Sequence, residues 1–350
     1  MKTHFRFLSV IITVGALLLS AQNLSAQDFK CTLEDGNTLF FNVLDSLNKT
    51  LEVTFKAPYN RPEAMTVSGR VEIPGQVSWE EDIYTVVRIG AKAFSSGDKI
   101  TSIVMPETVT RIREYAFENC TSLEEVVFPS SQIIIAKNAF YNCTKLNNIC
   151  FGSAWKEINL SLFESSDSLR TLNVPASVVK ISPLNTIRSL ENVNVDEANL
   201  SFASHDGLLY SKDTTVLYNC PVSHKGKVTV PEGVTTILDG AFRGCNMVES
   251  VDLPSTIEQF GYSEFYGMES LGELIIRSLK PVLTAIFDSK SVFTLKVPSK
   301  TILYLPKKAI KEYLKLLNCD AGLYQNMDGY NQEICSSDDL ISSKRIKKIK

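Results

Sequence analysis

Residues 86–108, VVRIGAKAFSSGDKITSIVMPET, are followed without a gap by residues 109–131, VTRIREYAFENCTSLEEVVFPSS, a second copy in the same register. The period is 23 residues. Ile89 returns as Ile112, Ala93 and Phe94 as Ala116 and Phe117, Ile100 as Leu123, Ile103 as Val126, Met105 as Phe128, and Pro106 as Pro129. Self-similarity at this spacing predicts a solenoid, in which each unit buries its apolar face only against its neighbours.

Degenerate copies surround these two. The copy from Gln132 keeps Ile135, Ala139, Phe140, Leu146, Ile149 and Phe151, and its Cys143 falls one period after Cys120. From Trp155 the pattern holds Ile158, Leu162, Phe163, Leu169, Leu172, Val174 and Pro175. A shorter unit keeps Ile181, Leu190, Val193 and Val195, with Pro183 in place of the A-F turn. Further on, Ile237, Ala241, Phe242, Cys245, Val248, Val251 and Leu253 recur as Phe260, Glu264, Phe265, Met268, Leu271, Leu274 and Ile276, without the proline that follows Leu253.

Within one copy, Leu123, Val126 and Phe128 read as the inward side of a short strand, while Glu125 and Val127 point outward by the alternation of a pleat. Pro129 stops the strand, and REYAFENC forms a turn that buries Ala116, Phe117 and Cys120. Met268 replaces cysteine in that column, which marks a soft apolar core site rather than a redox or metal site.

The pattern I-x-x-x-A-F-x-x-C-x-x-L-x-x-V-x-F-P resembles the leucine-rich repeats of the BspA-like family of bacterial cell-surface and secreted proteins. The resemblance covers most of the chain after its first segment. It implies a right-handed β/α superhelix, hence an α/β repeat fold, and a surface or secreted protein of adhesion or host-matrix contact. Front caps rich in strands and inserts of the form D-G-x-L-Y also occur in that family.

The ends divide the rest. Lys2 and Arg6 precede an apolar run from Phe7 to Leu19 and small residues to Ala26, so residues 1–26 are expected to be a signal peptide and the mature chain to be exported to the cell surface, periplasm or medium. Residues 27–85 read as a β-rich N-terminal cap of two strand pairs: Thr38–Phe41 with Leu51–Phe55, and Val71–Pro74 with Tyr84–Ile89. The repeats run over 86–298, with a projecting hairpin insert near 199–227 in which Leu208 to Tyr210 and Val216 to Tyr218 flank SKDTT. The last repeat strand is expected at TLKVPS, through Leu295 and Val297. Residues 299–335 read as a C-terminal cap whose short helix has Pro306 in its first turn and Ala309, Ile310, Tyr313, Leu314 and Leu317 on one face. A mobile basic tail, 336–350, closes the chain, and Cys319 with Cys335 is the candidate disulfide.

With 44% hydrophobic residues and a net charge of −3, composition gives no drive toward nucleic acid or anionic membrane. Of three histidines only His205 and His224 lie beyond the first segment, and neither accompanies a nucleophile motif. No metal or nucleotide motif is present, so no catalytic, cofactor or metal residue is expected. What remains is the outward ladder of one parallel sheet, with Glu125, Val127, Asn148, Thr171, Asn173, Asn192, Asn194, Ser250 and Asp252 as candidate partner-binding residues, joined by Tyr210 and Tyr218 of the hairpin. The expected function is a non-enzymatic protein-binding or adhesion module for a host-matrix or bacterial-surface protein. The alternative is a glycan-binding module of the cell envelope, which would use the two tyrosines because no outward ladder position is aromatic.

Overall fold

The computed structural model describes residues 29–55, 67–79, 81–261, 265–280, 283–284, 297–298, 300–313 and 346–349. The expected signal peptide, Cys319, Cys335, Leu314 and Leu317 lie outside them. The chain forms two compact units, Met1–Trp155 with Ser161–Ser168, and Lys156–Leu160 with Leu169–Lys350. Its described secondary structure is almost entirely strand, with short 3₁₀ turns at Leu160–Phe163 and Leu184–Thr186 and a helical turn over 310–313.

In the first unit the strands are β1 (Phe29–Thr32), β2 (Thr38–Asp45), β3 (Thr50–Thr54), β4 (Gly69–Glu72), β5 (Gln76–Trp79), β6 (Asp82–Ile89), β7 (Ile100–Val104), β8 (Arg111–Ile112), β9 (Glu125–Val127), β10 (Ile134–Ile135) and β11 (Asn148–Cys150). β1, β2 and β3 form an antiparallel meander, β3 joins β6 in parallel, and β6, β8 and β10 continue in parallel. β4, β7, β9 and β11 make a second, wholly parallel sheet. The expected pairing of Val71 with Tyr84 does not form. β4 pairs with β7 because VEIP repeats the strand-proline pattern of IVMP, and β5 takes the place beside β6 through a tight Trp79–Asp82 connection.

The turns between the sheets have a logic that the apolar pattern hides. Lys92, Tyr115 and Asn138 precede the successive Ala-Phe pairs at φ 57°, 59° and 61°, and Ser96, Asn119 and Asn142 follow them at 62°, 59° and 60°. Two left-handed residues per turn let the backbone coil round each Phe and aim N–H groups along the stack. Phe94 N–H donates to Ala116 O, Phe117 N–H to Ala139 O and Asn119 N–H to Tyr141 O, at 2.7–2.9 Å. Inside this backbone ladder, Phe94, Phe117 and Phe140 stack with centroids 5.2 and 5.0 Å apart and planes within 6°. The cysteine column does more than fill space: Cys120 Sγ–H donates to Phe94 O and Cys143 Sγ–H to Phe117 O, both at 3.1 Å. All six described cysteines are free thiols.

The second unit contains β12 (Glu157–Ile158), β13 (Thr171–Val174), β14 (Lys180–Ile181), β15 (Asn192–Val195), β16 (Phe202–His205), β17 (Leu208–Ser211), β18 (Val216–Asn219), β19 (Gly226–Thr229), β20 (Thr236–Ile237), β21 (Val248–Leu253), β22 (Gln259–Phe260), β23 (Glu273–Ile276), β24 (Leu283–Thr284), β25 (Ile302–Leu305) and β26 (Ile346–Lys348). β12 pairs with β14 and β13 with β15, both in parallel. β16, β17 and β18 form an antiparallel meander that continues in parallel through β20, β22 and β24. β19, β21, β23, β25 and β26 make a five-stranded parallel sheet. Val228, Val251, Leu274 and Leu303 of that sheet belong to one buried core with Phe242, Phe260 and Phe265.

The insert is no free hairpin, because β18 is a full member of its sheet and the alternation of Leu208, Tyr210 and Leu217 drives all three into the core. Its tight Asp206–Gly207 turn, at φ 50° and 77°, has the positive dihedrals of a two-residue hairpin loop, and Gly207 O accepts Val193 N–H at 2.9 Å. The outward ladder is three parallel sheets rather than one. Leu295 of the expected last repeat strand lies outside the described residues, and β23 pairs with β25, whose ILYLP carries the same apolar alternation and closing proline. Pro306 therefore ends a strand, and the helical turn begins only at 310, with Ala309 and Tyr313 buried. Part of the tail expected to be mobile, Ile346–Lys348, pairs with β25, whose edge offers unsatisfied backbone groups.

Candidate binding surface

On the parallel sheet of the first unit, the outward positions are linked to each other before they meet anything else. Ser102 lies opposite Glu125, and Glu125 opposite Asn148. Arg70 Nη1–H donates to Glu125 Oε2 at 2.9 Å, Ser102 Oγ–H to the same oxygen at 2.8 Å, and Asn148 Nδ2–H to Glu125 Oε1 at 2.9 Å. Arg70 also holds Glu72 at 3.0 Å. Glu125 is thus the hub of a polar network, with both carboxylate oxygens committed. Val127 and Cys150 are half-buried beside it, and burial followed by the Glu125 charge pushes the Cys150 thiol up.

The second unit presents a different surface. On β13 and β15, Thr171 lies opposite Asn192 and Asn173 opposite Asn194. Asn173, Asn192 and Asn194 are exposed, and the only hydrogen bond among these side chains runs from Asn194 Nδ2–H to Asn173 Oδ1 at 3.2 Å. The block keeps several amide donors and acceptors for a partner. On β21, Asp252 is only 5% exposed and is gripped by Arg277 through two hydrogen bonds of 2.8 and 2.9 Å, with Lys227 at 3.6 Å. The hydrogen bond to Asp252 raises the pKa of Arg277. Ser250 Oγ is enclosed without a hydrogen-bond partner among the described residues. Asp252 and Ser250 are therefore parts of the sheet rather than free recognition groups.

Of the two tyrosines expected to serve the insert, Tyr210 is 1% exposed and belongs to the core, so it offers no platform. Tyr218 is half-buried with its ring edge-on to Phe202 at 5.5 Å. Among the described residues His205 meets Thr214, at 3.4 Å, and the edge of Tyr210. Three outward residues escape the sequence reading: Arg70, Arg277 and Tyr304. Tyr304 of β25 lies opposite Ile275, donates its OH to Glu273 Oε1 at 3.2 Å and has Lys347 Nζ 6.0 Å above its ring. It is an aromatic on the outward face, hidden from sequence because the apolar pattern places the last strand at Leu295 and Val297, eight residues before Leu303 and Leu305. Among the described residues no group of three or more His, Cys, Asp or Glu is placed to hold a metal, and no helix is long and apolar enough to cross a membrane.

Solved structures of bacterial leucine-rich repeat proteins are similar to this chain. The pneumococcal vaccine antigen PcpA shares 18% identity, with 83% of this chain and 96% of that one covered and a TM-score of 0.44. A leucine-rich cell surface protein from Faecalibacterium prausnitzii A2-165 shares 18% identity over 84% of this chain and 94% of its own, with a TM-score of 0.36. The T. pallidum leucine-rich repeat protein shares 22% identity over 66% and 86%, with a TM-score of 0.39. A search of curated proteins gives no match. The model of the BspA type leucine rich repeat region matches six copies over residues 84–204 and 213–321, more than half of the chain. This chain accordingly belongs to the BspA-type leucine-rich repeat family.

Proposed function

We propose that this protein acts outside the cytoplasm as a non-enzymatic binding module of adhesion type, for a host-matrix or bacterial-surface protein. In this reading residues 1–26 direct export. Within each unit the repeats wind as a right-handed solenoid with a 23-residue coil, the strands of 27–85 cover its front, and the segment after β25 covers its far end. The observation that supports the function best is the asparagine block of Thr171, Asn173, Asn192 and Asn194. Its three asparagine side chains stand exposed and Thr171 is half-buried, on hydrogen-bonded strands with most of the amide atoms uncommitted. A surface fixed in this way loses little entropy on association, so modest contacts give useful affinity. Glu125 and Asp252, already consumed by Arg70 and Arg277, orient their surroundings instead. The test is to capture a partner from matrix and bacterial-surface fractions with the wild-type protein, then measure its affinity for a folded Asn173→Lys/Asn192→Lys/Asn194→Lys variant. Loss of binding supports the assignment, and unchanged affinity refutes it.

A second reading, a glycan contact, rests on Tyr304. An aromatic face beside a carboxylate and a lysine is the combination that sugars use for stacking and hydroxyl bonding. Tyr304→Ala should then abolish glycan retention without changing the protein contact.

A further inference from the structure

The other sheet of the first unit carries charge that the outward ladder does not use. Arg88 on β6 lies opposite Arg111 on β8, and Arg111 lies opposite Ile134 on β10. Like charges facing each other across strands are unfavourable unless something neutralises them. Arg113, just past the end of β8, adds a third guanidinium. With Glu114, Ile134 and Ala136 these arginines line a recess of about 260 Å³.

The three guanidinium groups are unequally spent. Arg88 donates its Nε–H to Glu52 at 2.7 Å, and Glu52 is nearly buried and also accepts from Asn42 at 3.3 Å. Arg88 is thereby held in place at the wall of the recess. Arg113 and Glu114 are 3.8 Å apart, beyond hydrogen-bond reach and both about half in water. Arg111 has no acceptor among the described residues. Three cations against Glu52 and Glu114 leave one positive charge without a partner, beside guanidinium donor forks whose geometry suits a planar or tetrahedral oxyanion.

We propose that this recess binds a single oxyanion group of one negative charge, a carboxylate or a sulfate ester. The site lies on a different sheet from the asparagine block, so it goes beyond the protein contact proposed above and stands or falls separately. Arg111 is the central ligand, Arg88 is pre-positioned by Glu52, and Arg113 turns from Glu114 to the incoming group.

The experiment uses the full chain and two probes, sodium acetate and sodium methyl sulfate, each exchanged for sodium chloride at constant ionic strength. Arginine Nε–H resonances are followed by ¹H–¹⁵N correlation. The expected result is saturable shifts at millimolar concentrations of at least one probe, and the probe that binds identifies the group as carboxylate or sulfate ester. Arg111→Gln should weaken that binding at least about tenfold, the effect of losing a charge-assisted pair, while the backbone amide spectrum is kept. Arg113→Gln serves as the second variant, with a smaller loss expected. Absence of saturable shifts with both probes, or shifts in Arg111→Gln that match wild type, would overturn the proposal.

Discussion

Phe117→Ala probes the packing where it is most demanding. The ring is fully buried and lies flat between Phe94 and Phe140, at 5.2 and 5.0 Å, with interplanar angles of 5° and 6°. Truncating a buried Phe costs about 3–5 kcal/mol in lost transfer free energy and residual cavity. Two parallel neighbours each lose a contact worth about 0.5–1.5 kcal/mol beyond burial, so the expected cost sits at the upper end, about 4–5 kcal/mol. The same change at Phe242, which has one stacked neighbour, Phe265 at 5.6 Å and 12°, should cost about 3–4 kcal/mol. The two tryptophans of the chain, Trp79 and Trp155, both lie in the first unit, and Trp155 packs 4.9 Å from Phe128. Urea unfolding followed by tryptophan fluorescence therefore reports that unit, while far-UV circular dichroism reports the whole chain. Phe117→Ala should lower the fluorescence midpoint strongly with its slope unchanged, and Phe242→Ala should act mainly on the dichroism. A fluorescence shift equivalent to less than about 1.5 kcal/mol for Phe117→Ala, or a larger one for Phe242→Ala, would refute the stacked-core reasoning.

The buried thiols make stability fall in alkali. Burial pushes Cys120 from 9.0 up to about 12 and raises Cys143 as well. The folded state favours the protonated thiol, so this stability is present below pH 9 and is lost between there and about pH 12, at about 1.4 kcal/mol per pH unit for each thiol. A Cys120→Ala/Cys143→Ala variant, though less stable at neutral pH, should show a shallower alkaline slope of urea midpoint against pH; equal slopes would count against it. Asn119 holds φ 59°, so Asn119→Ala should cost about 1–2 kcal/mol, whereas Asn119→Gly should lie closer to wild type. Chemical denaturation of the pair settles the order, and equal losses would show that the left-handed turn is not what that position requires.

The fold was legible wherever apolar identity recurs densely. The alternation of Leu123, Val126 and Phe128 and the Ala-Phe column place the core of the first unit correctly. Weak copies were harder to read. Val71 and Ile73 in VEIP look like half of a hairpin until β7 is seen beside them. ILYLP and TLKVP carry the same signal eight residues apart, and pairing with β23 is what places ILYLP in the sheet. The left-handed turn positions were masked because Lys92, Ser96 and Tyr115 do not announce a positive φ, although Asn138, Asn142, Gly240 and Gly244 in the same columns do. At the candidate surface, alternation identifies which side chains face outward but not which are already satisfied. Arg70 reaches Glu125 across an intervening strand, a contact that no repeat spacing encodes. Tyr210 shows the converse: an aromatic in a polar insert suggests exposure, and its pairing in a full sheet buries it.

A partner is proposed to dock on the outward face of the parallel sheets. The most direct measurement is site-specific photo-cross-linking to the captured partner, with the photoreactive residue placed at Asn194 or, as the comparison within the same unit, at exposed Gln259 on the other sheet. A partner docked on the asparagine block gives a cross-linked complex from position 194 and none from position 259. Cross-linking from 259 and not from 194 would contradict it.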